Sequence, residues 1–382
     1  MSSPEERESR YGRLRDMMQD EGVDAMVVVG RDDIRYRGRT AYVSDYWQLL
    51  SDAFVIVPMK GNPIFVGHPV LGTAQAEQSD WPSDFRTAGQ PGEETALILR
   101  DLGHAAGEVG VVGMADALSH AHYLEMTETI PDANLRDLTR QFDAVRQVKS
   151  DEELANHRET SAIFAQMFKD LEPSIRPGVT EIDLVAEAHQ ISREYGCRSS
   201  MVLVGSPPFG APAFGTMREI AKDGLVMVWI EGPGPSGAWL EARQLYRLGP
   251  LSSETQDFWD LHVESVTAGI AALKPGAMAS DFVKTTGEGM AAGGWPVETN
   301  PDEQHHTYNL HGIGHDAIEG VWVPGNDRAC QENEIVNVHC WVDFADPADG
   351  DKLGFVGVTD NVLVTPDGGQ FMTWDTPTIN EL

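Results

Sequence analysis

In residues 10–26, Leu14, Met17 and Met18 share one helical face, and Gly22 follows the last turn as a stop. The run Ala25-Met26-Val27-Val28-Val29 then reads as a buried strand. Two more strands are predicted at Ala53-Phe54-Val55-Ile56-Val57-Pro58 and Pro63-Ile64-Phe65-Val66, with the turn Lys60-Gly61-Asn62 between them. Glu93 to Leu102 has helical spacing, and Glu108-Val109-Gly110-Val111-Val112 is again a strand. Strands alternating with helices predict a smaller α/β domain, residues 1–145.

The pattern then changes. Asp151 to Pro173 reads as a long amphipathic helix, and Ser150 with Glu153 three residues on forms a capping-box signature. Ile175-Arg176-Pro177-Gly178-Val179-Thr180-Glu181-Ile182-Asp183 interrupts it and starts a second helix. A similar phrase returns at Leu273-Lys274-Pro275-Gly276-Ala277, again between two helices. This repetition predicts two related halves in residues 146–382, with a site that draws groups from both.

Composition narrows the function classes. The chain has 382 residues, 41% of them hydrophobic, which suits two domains of roughly 100–200 residues each. It carries 28 basic and 60 acidic residues, a formal net charge of −32. Phosphates would be repelled, so nucleic acid and anionic membranes are not expected partners. No segment approaches the ~20 apolar residues of a membrane span. The start, Met1-Ser2-Ser3-Pro4-Glu5-Glu6-Arg7-Glu8, lacks the basic and apolar regions of a signal peptide. Cys197, Cys330 and Cys340 have neither disulfide-framework nor zinc-site spacing, so a reducing cytoplasm is the expected address. The acid excess suits either a hydrated surface in a salty cell or a field that attracts cationic substrates.

Four stretches could carry chemistry. His311-Gly312-Ile313-Gly314-His315 joins an imidazole to glycines that allow close backbone approach. Trp229-Ile230-Glu231-Gly232, a Pro-Gly turn, and Trp239-Leu240-Glu241-Ala242-Arg243 form a hairpin. Its two glutamates can face each other, and close carboxylates raise one pKa or recruit a cation. The structural alternative pairs Glu241 with Arg243 or Arg247 on an exposed face. The third stretch is an apolar strand, Glu334 to Asp343, bearing His339. The fourth is a strand pair from Gly354 to Gly368 with Thr359 and Asp360 at its centre.

The order of these segments resembles the pita-bread family of aminopeptidase P, prolidase, methionine aminopeptidase and creatinase. Val148-Lys149-Ser150-Asp151-Glu152-Glu153 is similar to the start of its catalytic domain, and Ile175 to Glu181 to its next landmark. The hairpin, His311-Gly312-Ile313-Gly314, the His339 strand and Asn361-Val362-Leu363-Val364-Thr365 follow in family order. The resemblance implies an α+β pita-bread catalytic domain, M24-like, behind a creatinase-type α/β N-terminal domain. It also implies a homodimer.

The family's metallopeptidases use two aspartates, a histidine and two glutamates. By resemblance these positions fall on Trp229 (or Glu231 in a shifted hairpin), Glu241, His311, His339 and Thr359. The family's second histidine falls on Ile318, before Glu319. A two-metal centre with bridging carboxylates is therefore not expected. The expectation is no cofactor. The alternative is one divalent ion, iron, manganese or zinc, on Glu231, Glu241, His311 and His339. The implied catalytic groups are His311, His339 and Glu241. Glu231, Trp229, Glu319, His315 and Thr359 would meet the substrate. The implied reaction is hydrolysis of a C–N bond in a small polar substrate, cationic or zwitterionic. Creatine itself is disfavoured, because Gly205 to Gly215 lacks the histidine that creatinase chemistry wants. Alternatives are a metal-dependent Xaa-Pro aminopeptidase or dipeptidase, a dimethylsulfoniopropionate-lyase-like elimination, and a non-catalytic peptide-binding protein.

Overall fold

A computed structural model describes residues 2–48, 52–67, 69, 81–82, 84–209, 214–295, 308–322, 327–340, 344 and 346–382. The chain divides into two compact units, Met1–Gln147 and Val148–Leu382.

The first unit is built on a mixed sheet of strands β1 (Ala25–Gly30), β2 (Ala53–Pro58), β3 (Ile64–Gly67), β4 (Asp84–Thr87), β5 (Glu108–Val112) and β6 (Asn134–Asp137). Their order is β4-β3-β2-β1-β5-β6. β1 is buried on both faces, which is why it reads as an unbroken apolar run. Its alternation assigns Met26 and Val28 to a core shared with Leu14 and Met18 of the helix Pro4–Glu21. Ala25, Val27 and Val29 join the opposite core, with Ile98 and Leu99 of the helix Pro91–Asp101. Gly22 ends the first helix in the left-handed conformation, with φ 68°.

In the second unit, the helix Asp151–Leu171 starts with a complete capping box between Ser150 and Glu153. The strands β7 (Met201–Gly205), β8 (Leu225–Pro233), β9 (Trp239–Arg247) and β15 (Ile379–Glu381) form one sheet, in the order β15-β9-β8-β7. The strands β10 (Tyr308–Gly312), β11 (Val321–Trp322), β12 (Ile335–Cys340), β13 (Thr359–Thr365) and β14 (Gly368–Phe371) form the other, in the order β11-β10-β12-β13-β14. Thr359 therefore opens β13 and does not sit at the centre of a strand pair as expected. The β12 strand was expected to run on to Asp343, but residues 341–343 lie outside the described residues, as do 210–213 of the stretch before the hairpin.

The two Pro-Gly phrases adopt the same local structure. Gly178 and Gly276 both take left-handed backbone, with φ 83° and 87°. The Gly178 N–H donates to the Ile220 carbonyl, and the Ile220 N–H donates back to Val179. Gly276 and Ala277 make the same exchange with Cys330. Each turn thus pins a later segment against the helix that follows it: Glu181–Glu194 in the first half and Ser280–Ala292 in the second.

The first of these helices begins with a buried carboxylate. Glu181 accepts hydrogen bonds from the backbone and hydroxyls of Ser206 and Thr216, and from the Arg218 guanidinium. Burial raises its pKa, but the hydrogen bonds from Thr216, Arg218 and Ser206 outweigh burial and hold it below the usual 4.5. Its stabilising contribution is complete above the unfolded value and is lost as pH falls through the lowered folded value. Glu181→Gln should therefore cost more stability at about pH 7 than at about pH 3. Urea unfolding at both pH values checks this, and an equal cost at both would contradict it.

Candidate active site

Strand pairing builds the site. In the β8–β9 hairpin, Glu231 stands opposite Glu241, and Trp229 stands opposite Arg243. All four share one face, because side chains alternate along a strand. The other face, with Val226, Val228, Ile230, Leu240 and Ala242, packs into an apolar core with Phe164 and Leu184.

The second sheet meets the site face through amides. Asn337 on β12 donates to the Glu241 carbonyl at 2.8 Å and to Asn361 Oδ1 at 2.9 Å. Asn361 on β13 donates to the Trp239 carbonyl at 3.1 Å and accepts from the Glu241 N–H at 3.4 Å. These two asparagines fasten β9 to β12 and β13, so the Glu241 side chain is held from its own backbone outward. His339 lies two residues beyond Asn337, on the same face of β12. His311, on β10, is the register partner of Asn337.

Both histidines converge on Glu241. His339 Nε2 lies 2.7 Å from Oε1, and His311 Nε2 lies 3.2 Å from Oε2. His311 Nδ1 is 3.1 Å from the Gly312 carbonyl, which only a donor can satisfy, so Nδ1 carries a proton and Nε2 is directed at the carboxylate. A proton or a cation must then lie between Nε2 and Oε2.

The surroundings split the two glutamates. Burial pushes Glu231 well above the ordinary carboxyl range, and the Glu241 charge adds to this. Burial acts on Glu241 in the same sense, but His339 and His311 outweigh it and hold Glu241 far below that range. His339 is itself lowered by burial, against the pull of Glu241. Burial acts on both carboxyl groups and only Glu241 has imidazoles to oppose it, so the two are driven in opposite directions, the kind of separation that acid–base catalysis uses.

One divalent ion fits this donor set. An oxygen of Glu241 and one nitrogen each of His311 and His339 lie within 4.8 Å of one another, two imidazoles and a carboxylate. The Trp229 ring packs on His339 at 4.9 Å between centroids, and the Arg243 guanidinium lies over Trp229 at 4.7 Å. An indole and a fixed positive charge occupy that side. Thr359, the register partner of His339, is buried there with a hydroxyl that has no hydrogen-bond partner among the described residues. Asp360 points the other way and accepts from the backbone of Thr373 and Trp374.

Glu319 and His315 are not in this cluster, although both were expected to meet substrate. Glu319 forms a buried ion pair with Lys149 at 2.8 Å and accepts the His315 N–H. The His315 ring faces Glu153, at 3.8 Å. The Glu319 N–H also donates to the Gly312 carbonyl, the same oxygen that orients His311. Glu319 therefore positions the His311 loop, and its charge is already balanced. Asn337, Asn361 and Lys149 had no predicted role. Their sequence signal was a polar group set within, or just before, an apolar element.

Two family models match the chain. Metallopeptidase family M24 matches residues 155–366, and the creatinase/prolidase N-terminal domain matches residues 10–148. The uncharacterized peptidase YqhT of Bacillus subtilis (strain 168) is 19% identical over 377 residues, covering 94% of this chain and 96% of the relative. An X-Pro aminopeptidase from Thermotoga maritima MSB8 superposes with a TM-score of 0.81 at 16% identity, covering 97% of this chain and 99% of that one. An Xaa-Pro dipeptidase from Bacillus anthracis gives a TM-score of 0.78 at 19% identity, covering 98% and 100%. The pita-bread fold and its N-terminal companion are those of these structures.

The Lys149–Glu319 pair makes a testable claim about the His311 loop. Lys149→Met removes the buried ammonium opposite Glu319 and should destabilise the chain by about 3–5 kcal/mol. Lys149→Met combined with Glu319→Leu removes both charges and should recover much of that loss. Denaturant unfolding of the wild type and the two variants checks this, and a double variant no more stable than Lys149→Met would contradict it.

Proposed function

The chain belongs to metallopeptidase family M24, and from that premise we propose that it hydrolyses a C–N bond in a small polar substrate, cationic or zwitterionic. The observation that carries the reading is Glu241, buried and held between His311 and His339, with Glu231 directly across the hairpin. Hydrolysis needs a base for water and an acid for the leaving nitrogen. His339, oriented by Glu241, accepts the water proton. The water oxygen bonds to the carbon. As the C–N bond breaks, the nitrogen takes the proton of Glu231. The proton then passes from His339 back to Glu231, and the site is reset. Glu231 is thus more than the substrate contact first expected. Glu319, paired with Lys149, adds no free negative charge to attract a cation.

A second reading is favoured by the convergence of three ligand atoms within 4.8 Å. Glu241, His311 and His339 would hold one divalent ion, which would supply Lewis-acid polarisation and a more acidic water. The relatives named for Xaa-Pro dipeptidase and X-Pro aminopeptidase activity bring proline dipeptides into the assay panel beside amides and amidines. We further propose a homodimer, which sedimentation at the 41.8 kDa of one chain would contradict.

Elemental analysis of protein purified without chelator should find at most one ion per chain. Activity that survives chelation supports the proton-transfer reading. Activity lost with one ion supports the second. Two tightly held ions would overturn both. In either case His311→Ala should lower turnover by about 10²–10⁴-fold. Cys340→Ala should not, since burial keeps that thiol protonated and its side chain leaves the far face of β12. Release of dimethyl sulfide without hydrolysis would move the protein to the lyases. Peptide binding without any turnover would make it a binding protein.

A further inference from the structure

Among the described residues, a buried cation beside the site lacks an ion-pair partner. Arg243 lies on β9, two residues from Glu241 and on the same face. It is 4% exposed. Its Nη1 donates to the carbonyls of Cys340 and Phe355, at 3.2 and 3.4 Å. Its Nε and Nη2 have no hydrogen-bond partner among the described residues. Neither oxygen of Glu241, the neighbouring carboxylate, is a partner of these nitrogens; each faces an imidazole instead. The guanidinium is charged at neutral pH.

Stacking does not settle this charge. The Trp229 ring lies 4.7 Å from the guanidinium, but a ring face supplies no acceptor for the N–H groups that burial has stripped of water. The pattern of used and unused nitrogens is informative. Nη1 is spent on backbone. Nε and Nη2 form one edge of the planar group, and that edge matches the two oxygens of a carboxylate. Thr359 supplies a second group without a hydrogen-bond partner among the described residues. It is fully buried, and its register pairing with His339 sets it on the same side.

We propose that Arg243 is a specificity residue that binds a carboxylate of the substrate through Nε and Nη2, with the Thr359 hydroxyl as a further donor. The substrate is then zwitterionic, with an acid group beside the bond that breaks. This rests on the hydrolase reading of the same site, and binding can be measured apart from turnover.

The test is calorimetric titration of the full chain with matched probes: glycyl-L-proline against glycyl-L-prolinamide, and guanidinoacetate against its amide. At least one acid should bind about tenfold or more tightly than its amide, the scale of a lost charged hydrogen-bond pair. Arg243→Met should erase the preference, and Arg243→Lys should keep part of it. Thr359→Val, close in shape, guards against a fold defect at Arg243 and should lower the acid affinity several-fold. Equal binding of acid and amide, binding of neither, or a preference that survives Arg243→Met would overturn the proposal. Hydrolysis of the same probes separates the two readings. Acid-selective binding without turnover supports Arg243 and overturns the hydrolase. Equal turnover of acid and amide overturns Arg243 and keeps the hydrolase.

Discussion

An ionised carboxylate in a dry interior is the constraint on which the second unit depends. Glu241 is buried, and removing such a group from water costs several kcal/mol unless partners replace its hydration. The fold answers with His339 and His311 at the two oxygens, and with Asn337 and Asn361 at the backbone of the same residue. These partners come from three strands of the other sheet. Their register is therefore set by the need to satisfy one residue, and a slip by one position would turn every one of them to the opposite face.

The remaining structure holds that register. The repeated Pro-Gly turns fix where each half's helix begins and which later segment lies beside it. Lys149 ties the start of the unit to the loop after β10 through Glu319, which in turn fixes the Gly312 carbonyl and the tautomer of His311. A charge pair far from the reacting atoms thus bears on the direction of one ring nitrogen. The same arrangement explains why two carboxyl groups that face each other are shifted in opposite directions. Burial acts on both, and only one has imidazoles to offset it.

Much of this was legible in the chain because its determinants are local. The period-2 pattern on both sides of a Pro-Gly turn was enough to oppose Glu231 and Glu241. The glycine φ values at 178 and 276 follow from the repeated phrase. What needed the register of distant strands was not legible. Glu319 looked like a substrate contact because it lies near His311 in sequence, yet it turns toward Lys149. Arg243 was weighed only as a partner for Glu241. The register that opposes Glu231 and Glu241 also sets Trp229 across from it, but which of its nitrogens stay unpartnered depends on the backbone of the other sheet. Asn337 and Asn361 resemble ordinary strand positions until β12 and β13 are paired, when they meet each other and the hairpin.

The central claim is that Glu241 and His339 act as one unit. The direct measurement is a double-mutant cycle on turnover, with Glu241→Gln, His339→Gln and the two combined. Groups that act together lose most of their effect with the first removal. The double variant should be about as slow as the slower single variant. Losses that multiply would show two independent contributions and contradict the account.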